Sequence, residues 1–155
     1  MYSKKIKCFD TRGNEWEFFE NEFQDRHSVY GIHIINGSIL LAQCAFNDLW
    51  CLPGGGKKEN ESDINGLKRE FLEETGLVVN DEIKFLKTET SKIVMGKKPY
   101  NNISSYYYVN VIGGNIKVEG NNDDTLTSKY IPFSDIKNLP IAKYQKEIIS
   151  FIICL

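Results

Sequence analysis

The sequence is short of the residues that build metal cages, membrane anchors and nucleic-acid grips. Its four cysteines, Cys8, Cys44, Cys51 and Cys154, form no CxxC pair, and two histidines are too few to complete a zinc set. They read as free thiols, which predicts a reducing, cytoplasmic setting. No apolar stretch follows Lys4 and Lys5, so no signal peptide is expected. The apolar run Ile148–Leu155 is far shorter than the roughly 20 residues of a spanning helix, and Cys154 is misplaced for a prenylation box. No membrane partner is therefore expected. A basic surplus is missing too: the formal net charge of -2 argues against duplex nucleic acid and is compatible with a small phosphorylated ligand.

What is present suits one globular domain over residues 1–155, with 41% hydrophobic and 26% charged residues. A homodimer is compatible with this composition. Glu15 to Glu20 alternates as an early strand, and a polar link runs from Asn21 to Arg26. Val29 to Ile35 and Ser38 to Ala42 flank Asn36-Gly37, the pair favoured in two-residue hairpin turns. The loop Leu52-Pro53-Gly54-Gly55-Gly56 is expected to be neither helix nor regular strand. Further strands are predicted over Glu82 to Thr88, Ser104 to Ile112, Ile116 to Val118 and Lys129 to Pro132, with a last helix from Ala142 to Ile153 after Pro140. Strands around one helix, with a second at the end, suggest a mixed sheet covered by helices.

The most informative segment is the first helix, predicted from about Asp63 to Thr75 with Ser62 as N-cap and Gly76 at its C-terminal end. Ile64, Leu67 and Phe71 form its core stripe at ~100° per residue. Glu70, Glu73 and Glu74, related by i,i+3 and i,i+4 steps, crowd an adjoining face, and their mutual repulsion calls for a cation. Mg²⁺ suits this set, since it binds one or two carboxylates together with substrate phosphates and water. Gly66 lies one turn before Glu70, where an interior glycine costs about 1 kcal/mol relative to alanine. It marks a close approach, with the preceding glycine loop as the expected neighbour, and the amides of that loop suit phosphate oxygens. A Glu-rich helix face on its own is more often solvated surface, and Arg69 with Glu73 makes an ordinary i,i+4 pair.

The triplet does not stand alone. Gly55, Glu61 and Arg69-Glu70-Phe71-Leu72-Glu73-Glu74-Thr75-Gly76-Leu77 fall at the spacing GX5EX7REUXEEXGU, and the segment over residues 55–77 resembles the Nudix box. Every fixed position is met, a match expected by chance on the order of once in 10⁸ from ordinary residue frequencies. Phe71 stands where an aliphatic residue is more usual, and Gly66 where many members have alanine. The resemblance implies an α/β/α sandwich around a mixed sheet in a single α/β domain. It implies that Glu70, Glu73 and Glu74 bind Mg²⁺ or Mn²⁺ with the carbonyl of Gly54, that Glu61 assists, and that Arg69 orients the glutamates through salt bridges. It implies hydrolysis of a diphosphate joined to another moiety, with a glutamate of the box or a carboxylate from a later loop, Glu119 or Asp124, as base or further ligand. Residues Asn121 to Asp124 also read as a plain polar turn.

Outside the box the substrate signal weakens. The coenzyme A, ADP-ribose, RNA-end and isopentenyl diphosphate signatures are not found, which leaves a MutT-like nucleotide hydrolase as the favoured reading. A silent nucleotide-sensing module, or a hydrolase of ADP-ribose, nucleotide sugars or dinucleoside polyphosphates, are the alternatives. Phe46, Trp50 and Tyr106 to Tyr108 are candidates to stack a base, against ordinary sheet packing, and Lys57 and Lys58 are candidates to meet phosphates. His33 reads as structural.

Overall fold

The computed structural model describes residues 3–121 and 123–154; Asn122, in the predicted polar turn, and Leu155, at the end of the apolar run, lie outside the described residues. The elements follow one another as β1 Lys5–Asp10, β2 Glu15–Phe19, β3 Gln24–Ile32, β4 Ile34–Ile35, β5 Ser38–Cys44, β6 Trp50–Cys51, β7 Gly54–Gly56 and α1 Asp63–Thr75. The second half contributes β8 Leu77–Val79, β9 Lys84–Met95, β10 Lys98–Tyr108, β11 Val111–Gly114, β12 Thr125–Pro132 and α2 Lys146–Ile153.

Among the described residues a six-stranded sheet runs β2-β1-β9-β10-β3-β7, and it is mixed because β1 pairs parallel with β9 and β3 with β10. A second sheet, β12-β5-β4 with β6 on β5, and the pair β11-β8 complete the strands. Alternation along β3 divides the core. Val29 packs with Leu40, Leu67 and Phe71 beneath α1, whereas Tyr30 and Ile32 pack with Leu41, Ile148 and Ile152 beneath α2. The result is a helix, sheet, helix sandwich, as the family resemblance implied.

The Asn36-Gly37 turn is present, with both residues at positive φ, 49° and 75°, as a type I′ hairpin requires. The run before it is shared between sheets, since β3 ends at Ile32 and only Ile34 and Ile35 pair with β5. His33, at the break, is held through Nδ1 to the Tyr130 hydroxyl at 2.7 Å. The expected polar link shortens to a 3₁₀ turn at Glu20–Glu22, and Gln24 to Arg26 join β3 in register with Tyr100 to Asn102. The strand predicted from Glu82 begins at Lys84 and runs to Met95, turning through Gly96 and Lys97 at positive φ into β10. The run predicted as one strand from Ser104 to Ile112 is divided between β10 and β11.

Three further expectations are corrected. Gly54–Gly56 is a strand, antiparallel to β3, because glycine lets it lie so close: a Cβ at Gly54 would sit 2.0 Å from the Val29 carbonyl oxygen. Ile116 to Val118 is not a strand, because this segment caps α1, with the Lys117 amide donating to the Thr75 carbonyl at 2.7 Å and Lys117 Nζ to that of Glu73 at 3.2 Å. The last helix starts at Lys146, after a 3₁₀ turn over Lys143–Gln145. Among the described residues no helix is long and apolar enough to cross a membrane.

Candidate functional site

α1 carries the site, and its sequence fixes both ends. Ser62 Oγ accepts from the Asn65 amide at 3.1 Å, and Gly76 closes the helix in the left-handed region at φ 77°. Leu67 and Phe71 are fully buried, while Ile64, predicted to share their stripe, is 41% exposed. Phe71 fits where a smaller residue is usual because β3 offers Gly31 beneath it: a Cβ there would lie 2.7 Å from the ring. This contact sets α1 down on β3 and turns its carboxylate face toward β7.

Arg69 organises that face. Its Nε and Nη2 each donate to Glu61 at 2.8 Å, Nη1 donates to Glu70 at 2.9 Å, and Nη2 reaches the Gly56 carbonyl at 3.3 Å. Glu73 is a looser partner at 3.3 Å, with a side chain 53% exposed against 13% for Glu70. The paired guanidinium holds Glu61 down to about 2. Glu61 and Lys57 also form the close approach at Gly66, where a Cβ would be 3.0 Å from Glu61 Oε1 and 3.3 Å from Lys57 Cγ. The neighbour of Gly66 is therefore the segment after the glycines rather than the glycines themselves.

The glycine strand meets the other two glutamates directly. The Gly54 amide donates to Glu74 Oε2 at 3.0 Å, and the Cα of Gly55 faces the Glu70 carboxylate so closely that a Cβ would be 2.9 Å from Oε2. Burial raises Glu74 well above the ordinary glutamate value; the Gly54 amide opposes this, and the charges of Glu70, Asp124 and Glu73 add to it. Burial likewise raises Glu70, against the pull of Arg69. Two carboxylates whose charged forms are disfavoured by burial and by neighbouring carboxylates are groups that a cation would relieve.

Glu70, Glu74 and Asp124 line one cavity of about 500 Å³, bounded by Gly54–Gly56 and by Arg26. Among the described residues no three His, Cys, Asp or Glu side chains form a ready-made metal cage, and Glu70 and Glu73 are both paired with Arg69. The donor set nevertheless fits a hard divalent ion, which commonly takes one or two carboxylates plus phosphate oxygens and water. Glu119 is exposed in a turn and does not line the cavity.

Of the predicted substrate contacts, Phe46 lines the cavity and is 83% exposed. Trp50 does not: its ring is packed in the core beneath α2 and its backbone bridges to Ile141. Tyr106 is fully buried, stacked on Tyr30. Lys57 is committed to Asp63 at 2.6 Å, and both it and Lys58 border a second depression that adjoins the first at Arg26 and Gly56. Sequence reasoning missed Arg26. It donates to Ser28 and, at 3.3 Å, to Asn102, and among the described residues it is the one cationic side chain lining the main cavity. Placed in a polar link by its neighbours, it gave no signal in the sequence beyond preceding an apolar run.

Comparison with known proteins agrees with this fold. The chain matches the family model described as NUDIX domain over residues 25–151. No curated protein matches it. Among solved structures it is similar to a MutT protein from Bacillus halodurans, at 20% identity and a TM-score of 0.67 over 83% of this chain and 82% of that one. It is similar to a MutT Nudix hydrolase from Burkholderia pseudomallei, at 18% identity and 0.69 over 82% and 97%, and to an ADP-ribose pyrophosphatase from Streptococcus suis, at 17% and 0.60 over 84% and 90%. The fold, the complete box and the domain match together establish that this chain belongs to the Nudix hydrolase family.

Proposed function

We propose that the chain hydrolyses a diphosphate linkage in a nucleoside-diphosphate-type substrate with Mg²⁺ or Mn²⁺, as a MutT-like pyrophosphohydrolase. The observation that carries the reading is the convergence of Glu70, Glu74 and Asp124 with Arg26 on one cavity of small-molecule size. Glu70 and Glu74, with Glu73 and the Gly54 carbonyl, would hold the ion, which when bound neutralises the diphosphate and lowers the pKa of a water. Arg26 binds a phosphate oxygen from the strand side. Glu61, fixed in its ionised form, anchors Arg69, and Arg69 in turn aims Glu70. Asp124 takes the proton of the attacking water, since of the two later carboxylates it is the one in the cavity. The water oxygen joins one phosphorus, the bridging P–O bond breaks, and the bridging oxygen leaves on the other phosphate.

The test is a phosphate- and monophosphate-release screen over nucleoside triphosphates, oxidised nucleotides, nucleotide sugars, ADP-ribose and dinucleoside polyphosphates with Mg²⁺ or Mn²⁺. Metal-dependent turnover of a nucleoside triphosphate is the expected result. Binding without turnover across the panel would favour a nucleotide sensor instead.

A further inference from the structure

The NUDIX match begins at residue 25, so the hairpin made by β1 and β2 precedes the matched region. The hairpin is nonetheless built into the sheet. Phe9 and Asp10 pair parallel with Ile93 and Val94, which sets the β1–β2 turn beside the Met95-Gly96 turn at the mouth of the main cavity. Asp10 shapes the turn by accepting from the Arg12 and Asn14 amides at 3.0 and 2.9 Å and from Trp16 Nε1 at 3.1 Å. Three bonds then latch it to the rest of the molecule. Asn47 Nδ2 donates to Thr11 Oγ1 at 3.1 Å, the Arg12 guanidinium donates to the Asn47 carbonyl, and the Lys143 amide donates to the Thr11 carbonyl at 2.9 Å.

These contacts make Thr11 a wall of the cavity, together with Phe46, Asn47, Leu49 and Met95. The chemistry of this wall differs from that of the carboxylate wall, for none of those five side chains is charged. No side chain of this wall carries a charge to pair with a second anionic group on the substrate, and the Arg12 guanidinium beside it is engaged by the Asn47 carbonyl. A neutral aromatic group would instead find the exposed Phe46 ring, the Met95 thioether and the hydroxyl proton that Thr11 retains after accepting from Asn47. Asn47 is itself held, its Oδ1 accepting from the Leu49 amide at 3.0 Å, so the wall is preorganised.

We propose that the β1–β2 hairpin is a specificity element, in which the latched Thr11 turn closes the cavity beside Phe46 and selects substrates bearing a nucleobase. The inference rests on the diphosphate hydrolase reading for its reaction and goes beyond it in assigning the hairpin and Thr11 to recognition of the nucleobase. It is tested with Arg12→Ala, which removes a latch, and Thr11→Val, which removes the hydroxyl while keeping the shape. KM and kcat are measured for a nucleoside triphosphate and for the ribose triphosphate that lacks its base, with folding checked by thermal melting. The expected result is a loss in kcat/KM at least fivefold greater for the base-bearing substrate, carried by KM. Equal losses for the two substrates, or none, would overturn the proposal. Binding of an α,β-methylene nucleotide separates the two readings: weakening by fivefold or more in both variants supports the hairpin's role even in a protein that cleaves nothing. A wild-type enzyme that cleaves both substrates with equal kcat/KM refutes the hairpin proposal and leaves the hydrolase reading standing.

Discussion

The Gly54 amide donates to Glu74 at 3.0 Å, so a residue of the edge strand holds a carboxylate of the helix. Its neighbour Gly55 touches Glu70 in a different way, and the two glycines should respond differently to alanine. Gly54 has φ 151° and no room for a Cβ against backbone, so Gly54→Ala is expected to cost several kcal/mol and to lower the melting temperature by more than about 5 °C. At Gly55 the obstacle is the end of the Glu70 side chain, which can move. Gly55→Ala should therefore melt within a few degrees of wild type while Mg²⁺ affinity, measured by calorimetry, falls about tenfold or more. Equal effects of the two on stability would contradict this division.

The pH dependence of stability without metal has a sign that follows from the raised carboxyls. Glu74, and less strongly Glu70, hold their protons more tightly in the folded chain than at the ordinary value of 4.5. The folded state then binds more protons than the unfolded one above that value, and unfolding free energy falls as pH rises through the raised pKa. Glu61 acts oppositely: its folded pKa of about 2 gives stability that is present above 4.5 and is lost on acidification toward about 2. Urea titrations in EDTA should show stability declining as pH rises above about 4.5 through the raised carboxyl pKa values, and saturating Mg²⁺ should remove the decline. A metal-free stability that climbs over that range would contradict the assignment.

Arg69 spans Glu61, Glu70 and the Gly56 carbonyl at once through the fork of its guanidinium. Lysine keeps the charge and cannot make that span. Arg69→Lys is expected to lower kcat/KM by about 10- to 100-fold with a shifted Mg²⁺ dependence. Steady-state kinetics within twofold of wild type at all metal concentrations would show that the fork is dispensable.

Phe71 and Gly31 form a matched pair. Gly31→Ala drives a Cβ into the ring and Phe71→Leu leaves a gap over Gly31, so each alone should destabilise, by about 1–4 kcal/mol. The double variant should recover about 1 kcal/mol or more relative to the sum, read from a double-mutant cycle in urea. Strict additivity would mean that the contact does not set the helix on the sheet.

Local signals were legible where a residue's own conformation decides the structure. Ser62 and Gly76 delimit α1, and Asn36-Gly37 makes its turn, because caps and positive φ are properties of single residues. The carboxylate face followed from helical spacing alone, and Glu61 and Arg69 from the box. What could not be read depends on partners far along the chain. Gly54–Gly56 becomes a strand only because β3 accepts it, and Ile116 to Val118 is withheld from one because α1 needs a cap. Trp50 and Phe46 had equal claims in the sequence, and packing against Ile141 separated them. Arg26 and Thr11 reach the cavity through pairing with Asn102 and contact with Asn47, at separations that no local pattern records.

Replacement of Glu74 by glutamine, Glu74→Gln, assayed against the nucleoside triphosphate panel with Mg²⁺, tests the central claim most directly. The amide oxygen can still accept from Gly54, and one crowded charge is removed, so the melting temperature without metal should stay level or rise. The account predicts that turnover nonetheless falls by about 100-fold or more, together with the affinity for Mg²⁺. Turnover within twofold of wild type would contradict the assignment of the α1 carboxylates to metal and diphosphate.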